Sequence, residues 1–168
     1  MKGFTLIETL IYLAIVSLAV TSFMVFSIGI GNSRTKNYVT QEVQGNTRTG
    51  LGLITQRIRA ATGVNASSSI FDTDPGVLSL VMADAAKNPT IINLTADNGV
   101  LQIQEGVGSS VVITSEAVKI TNLVFTDLSA SSTRENIRVE ITVEYNNTSG
   151  DVEFTYSQSL QTAVSLRQ

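Results

Sequence analysis

The residue best placed to do chemistry is a lone carboxylate, Glu8, the one charge between Lys2 and Arg34 in a stretch dominated by Leu, Ile, Val, Phe, Met and Ala. A carboxylate at the edge of a hydrocarbon segment costs on the order of 2.5–3.5 kcal/mol even on the lenient insertion scale, so such charges are normally paired or functional. Glu8 therefore calls for a cation, and its own chain offers Lys2. The plain alternative is a glutamate near the headgroups that snorkels or is protonated. A second set, Asp72, Asp74 and Asp97, has the oxygen chemistry of calcium ligands. No dense D-x-D-x-D-G pattern accompanies it, so these acids read as turn residues. Four Asn-X-Ser/Thr sequons, at Asn65, Asn93, Asn146 and Asn147, are what a chain rich in Asn, Ser and Thr produces by accident.

The sequence contains no cysteine and no histidine. That excludes a disulfide framework, a thiol nucleophile and a lipid anchor on cysteine, and it removes the commonest general base together with the commonest zinc ligand. No nucleophile and base pair is discernible, so an enzyme is not expected, and neither a cofactor nor a metal. A third candidate chemistry, phosphate binding, meets an uneven charge distribution. From Asn32 to Ala61 the basic residues Arg34, Lys36, Arg48, Arg57 and Arg59 face one acid, Glu42, whereas from Thr62 onward five basic residues face twelve acids. A basic rod joined to an acidic head lets the rod of one copy meet the head of another, with ordinary solvated faces as the alternative. It shows no basic stripe with interleaved aromatics, and nucleic-acid binding is not expected.

These residues need elements to position them. With 168 residues the chain has room for one modest core plus an extension. Charged residues make up 15%, below the usual quarter, while hydrophobic residues reach 43%, and the apolar excess sits at the front. Thr9 to Ile30 is long enough to cross a bilayer as a helix. It is too long for the core of a secretory signal, and Gly31-Asn32-Ser33-Arg34 is not a signal-peptidase site, so the segment is expected to be retained. Beyond it, Val39, Val43, Gly50, Leu51, Ile54, Ile58 and Ala61 form the stripe of an amphipathic helix. No proline occurs before Pro75, and the pattern runs to Thr62-Gly63. One helix from Phe4 to Ala61 is expected, about 85 Å long at roughly 1.5 Å per residue, with Gly29 and Gly31 as its bending point.

The remainder reads as strands. Ile137, Val139, Ile141, Val143 and Tyr145 alternate with polar residues in the strict period of two of a half-buried antiparallel strand. Val152, Phe154 and Tyr156 resume that alternation in step with Leu160, Val164 and Leu166, which predicts a long final strand after a turn at Asn146 to Asp151. Shorter strands are expected at Val77–Met82, Thr90–Thr95, Val100–Gln104, Ser110–Thr114 and Lys119–Phe125. Turns are placed at Asp74-Pro75-Gly76, Asn88-Pro89, Asp97-Asn98-Gly99 and Gly106 to Ser109, the third a hairpin signal. The fold class is α+β: a long N-terminal helix with a membrane half and an amphipathic half, the latter packed against a C-terminal antiparallel sheet that buries both apolar surfaces.

Lys2-Gly3-Phe4-Thr5-Leu6-Ile7-Glu8, followed by the uncharged run from Thr9-Leu10-Ile11-Tyr12, resembles the leader and transmembrane start of type IV pilins and pseudopilins. The resemblance implies cleavage after Gly3 by a prepilin peptidase, methylation of the new amino group on Phe4, and assembly guided by Glu8, paired with the amino terminus of a neighbouring copy or of its own chain. Glycine at the cleavage position suits a peptidase that needs close backbone approach. It further implies a leader at 1–3, a transmembrane and filament-core helix at 4–31, and an extracytoplasmic pilin head at 32–168. The implied partners are the peptidase and methyltransferase, other pilin or pseudopilin subunits, an inner-membrane assembly platform, and lipid before assembly. Charge flanking the span is balanced, so a cytoplasmic leader follows from the resemblance alone.

Ser17 and Val25 stand where major pilins often carry helix breakers, and the cysteine pair of many major pilins is missing. These departures favour a minor pilin or pseudopilin, with a weak likeness to J- or W-type subunits over Leu53 to Ala61, Gly99 to Leu101 and Ser115 to Phe125. The expected function is a structural filament subunit of a type IV pilus, type II secretion or DNA-uptake system. The alternatives are a membrane-anchored binding or adhesion module that recognises DNA, a surface or an exported protein, and, least supported, a tethered enzyme.

Overall fold

A computed structural model of the chain describes residues 3–96, 99–129 and 135–166. The expected helix is present as α1, Leu6–Ala60, 55 residues without a break. The chain divides into two units, one through Tyr38 and one from Val39 onward.

In the first unit α1 carries apolar side chains on every face as far as Ile30, and Leu10, Leu13, Leu18, Phe23 and Phe26 are all exposed. By length and composition it is able to cross a membrane. Three hydroxyls in the middle of this run are satisfied within the helix: Ser17 Oγ donates to the Ala14 carbonyl at 2.9 Å, Thr21 Oγ1 to Ser17 at 2.8 Å and Ser22 Oγ to Leu18 at 2.9 Å. Such back-bonds let serine and threonine sit in hydrocarbon without orphaned polar groups.

In the second unit the rest of α1 buries one stripe, Val39, Val43, Thr47, Gly50, Ile54 and Ile58, at the three- and four-residue spacing of a helix face. Thr47 is the member that apolar periodicity misses. Its hydroxyl donates to the Val43 carbonyl at 2.6 Å, which removes the cost of burying it. Leu51, included in the expected stripe, is only half-buried.

Two antiparallel sheets cover this stripe where one was expected. The first is a meander in the order β1 (Ala61–Val64), β2 (Leu78–Met82), β3 (Thr90–Leu94), β4 (Leu101–Glu105) and β5 (Val111–Val112). The second runs β6 (Val118–Asp127), β7 (Asn136–Tyr145) and β8 (Ser157–Ser165). A Cβ on Gly50 would lie 3.2 Å from Leu101 of β4 and 3.8 Å from Ile141 of β7, so this glycine is where both sheets approach the helix. The alternation in β7 is realised: Ile137, Val139, Ile141 and Val143 are all fully buried, in one core with Phe125 and Leu123 of β6.

Three expectations change in detail. First, α1 passes directly into β1, which pairs with β2, so Thr62-Gly63 ends the helix by starting a strand. Second, Val152–Phe154 is a 3₁₀ turn and the final strand begins only at Ser157. The apolar alternation there has another cause. Val152 is 83% exposed, Phe154 stacks on Tyr145 at 5.8 Å, and the Tyr156 hydroxyl accepts from Gln44 Nε2 at 3.2 Å, so the segment is an aromatic loop. Third, Asp97 and Asn98 of the expected hairpin turn lie outside the described residues, although β3 and β4 pair from Leu94 with Leu101, as that hairpin requires.

Polar contacts pin the helix and the sheets together. Glu42 Oε1 accepts from the Ser115 hydroxyl at 2.8 Å and from Asn46 Nδ2 at 3.0 Å, and Asn46 Oδ1 accepts the Ser115 N–H at 2.8 Å, fixing α1 to the chain that follows β5. Asp74 accepts the Leu123 N–H at 2.7 Å, joining the loop before β2 to β6. Arg57 of α1 meets Glu105 of β4 at 2.7 Å, so at this position the basic helix finds its acid within the same chain.

Candidate processing and assembly site at the amino terminus

The residues singled out by spacing, Gly3, Phe4 and Glu8, lie on one short stretch that changes from non-helical chain to helix. Residues 3–5 are non-helical and α1 begins at Leu6. Thr5 makes that boundary. Its carbonyl accepts the N–H of Thr9 at 3.2 Å and of Glu8 at 3.1 Å, and its Oγ1 accepts Glu8 N–H at 3.4 Å. A side-chain oxygen at the residue before the helix that accepts from the N–H three positions on is the mark of an N-cap, and here it shares the Glu8 N–H with the Thr5 carbonyl. Sequence reasoning passed over Thr5, although the Thr5-x-x-Glu8 spacing is a readable capping signal.

Gly3 is exposed, and a Cβ added to it would meet nothing within 4 Å among the described residues beyond its chain neighbours. The chain's own packing thus makes no demand for glycine there. Phe4 is 73% exposed, and its ring turns back onto the helix, edge-on to Tyr12 with centroids 6.3 Å apart. Edge-to-face pairs at this distance are favourable. Together with Thr9, Leu13 and Val16 the two rings line a shallow apolar hollow.

Glu8 sits in the first turn, where the positive end of the helix dipole favours a carboxylate. It is half-buried, and its flanks are Ile7, Thr9, Leu10 and Ile11. Among the described residues the ion pair present is Arg57–Glu105, so none of them supplies Glu8 with a cation.

Elsewhere the other candidate residues serve local structure. Asn65 Oδ1 accepts from the Ser67 hydroxyl at 2.8 Å, while Asn147 Oδ1 accepts the Gly150 N–H at 2.8 Å, so two of the four sequon asparagines build turns. Asp74 is engaged by β6, Asp72 takes a left-handed backbone with φ 56°, and Asp97 lies outside the described residues.

Comparison with known proteins falls on this same stretch. Residues 1–24 match the model of the prokaryotic N-terminal methylation motif. No curated protein and no solved structure matches the chain.

Proposed function

We propose that this chain, which carries at residues 1–24 the signature of type IV pilins and pseudopilins, is a structural filament subunit of the minor pilin or pseudopilin kind. The signature supports a pilin-type subunit, and with the long apolar helix it supports membrane anchoring. In this reading residues 1–3 are a leader, 4–31 the membrane and filament-core helix, and 32–168 an extracytoplasmic head of a single-pass inner-membrane protein. A prepilin peptidase hydrolyses the Gly3–Phe4 amide, the freed Phe4 amine is methylated, and an inner-membrane platform feeds the subunit into a filament.

The observation that carries the reading is the isolation of Glu8. It is the single charge on an otherwise uncharged helical run through Ser33, and no described residue offers it a cation. Desolvating a carboxylate is tolerable when an ammonium meets it at hydrogen-bond distance. The amine created on Phe4 of an adjacent subunit is such a group, and pairing it with Glu8 sets the axial register between subunits. The apolar side chains around Glu8, exposed in one copy, pack against helices of other copies in the same step.

Intact-mass and N-terminal analysis of protein extracted from the membranes of its native host tests this directly. The expected product lacks Met1 to Gly3 and carries one methyl group on Phe4. An intact leader, or loss of the whole segment through about Ile30, overturns the reading. Glu8→Ala should be processed normally and fail to assemble; assembly at the parental level would remove the pairing mechanism.

A further inference from the structure

We infer that Thr5 is a positioning residue for the cleavage step: by capping α1 it holds the Gly3–Phe4 amide outside the helix, in non-helical chain that a peptidase can take. The inference rests on the reading that this amide is the one hydrolysed. Water adds across it, the hydroxyl going to the Gly3 carbonyl carbon and the proton to the Phe4 nitrogen, which leaves a Gly3 carboxylate and a Phe4 amine.

Little else in the local sequence stops the helix where it stops. Phe4, Leu6 and Ile7 are all compatible with a helix, and glycine is itself a tolerable cap, so the next available start is Gly3. At the edge of a hydrocarbon phase, where free amides are costly, an uncapped helix gains by growing one turn toward its amino end. That growth would draw the Gly3–Phe4 amide into the first turn, where side chains wrap the backbone. The Thr5 hydroxyl oxygen opposes that growth by adding a second acceptor, at 3.4 Å, to the Glu8 N–H that the Thr5 carbonyl also accepts at 3.1 Å, and the Phe4 ring lies against Tyr12 with centroids 6.3 Å apart. Among the described residues, nothing beyond its chain neighbours lies within 4 Å of a Cβ on Gly3, which leaves the bond open to an enzyme on that side. The cap also survives cleavage, since Thr5 stays in the mature chain.

The test is the initial rate of leader removal from the full chain in membranes containing the peptidase, followed by intact mass. Thr5→Ala, Thr5→Val, Thr5→Ser and Thr5→Asn are compared with the parent. Serine and asparagine retain capping oxygens and should be cleaved at the parental rate; alanine and valine lose the cap and should be cleaved about fivefold more slowly, the factor equivalent to a cap worth ~1 kcal/mol. The asparagine variant separates capping from recognition of threonine as such, because it keeps the cap with a different side chain. Cα chemical shifts at Phe4 in micelles supply a readout without the enzyme, and should move toward helix only in the alanine and valine variants. Equal rates in all variants, or faster cleavage of Thr5→Ala, overturn the role of Thr5 while leaving the processing reading intact. A parent chain not cleaved after Gly3 overturns both.

Discussion

Helix α1 presents two kinds of surface under one secondary structure. Through Tyr38 its large apolar side chains point in all directions and remain exposed, Leu18 at 71%, whereas from Val39 onward they are confined to a stripe that the two sheets bury. The same backbone thus answers to two environments. An all-round apolar helix needs lipid or other helices, and a striped one needs a single covered face. The first region is left uncovered by the described residues, and the second carries its own cover.

The largest effect that would break this contrast is in the core. Phe125 is fully buried on β6, and Phe125→Ala should destabilise the full chain in mild detergent by about 3–5 kcal/mol in a urea titration followed by near-UV circular dichroism. Phe23→Ala, on the exposed face of the first region, should stay within about 0.5 kcal/mol of the parent. A comparable loss in both would mean that the first region is packed by the chain itself.

Leu18→Arg probes the other side of the comparison. A guanidinium near the middle of the apolar run carries an insertion cost of about 2.5–3.5 kcal/mol, and should sharply reduce the fraction retained in alkali-washed membranes while leaving the urea midpoint of the head unchanged. Retention at the parental level would show that the run does not lie in lipid.

The helix's two carboxylates sharpen the contrast further. Glu42 is held by Ser115 and Asn46, so Glu42→Ala removes a charge-assisted network and should cost about 1–3 kcal/mol of head stability. Glu8→Ala, whose carboxylate meets no cation among the described residues, should leave that stability unaltered and act only on assembly. Exchanged outcomes would reverse the roles assigned to the two acids.

What the sequence disclosed follows the same division. The uncharged run and its one acid are visible because nothing in the chain modifies them, and the alternation of β7 is visible because every inward position is apolar. Thr47 was hidden by a polar side chain satisfied on its own helix, and Thr5 by a capping role that apolar patterns do not register. The split into two sheets has no periodic signal at all, since strands alternate alike whichever sheet they join. Around Val152 to Tyr156 the alternation was real but belonged to aromatic packing in a loop, a case where period two did not mean strand.

The smallest test concerns two helical glycines two positions apart. Gly52 faces open space, so Gly52→Ala should stabilise the head by about 0.5–1 kcal/mol through helix propensity alone. Gly50→Ala gains the same propensity but thrusts its methyl to 3.2 Å from Leu101, a side chain with no exposed surface and therefore little room to yield. Overpacking at such a site costs about 1–3 kcal/mol, so the Gly50 variant should fall below the Gly52 variant by about 1 kcal/mol or more in the same urea titration. If the two gain equally, the sheets do not close on the helix at Gly50, and the stripe that distinguishes the second region from the first loses its tightest contact.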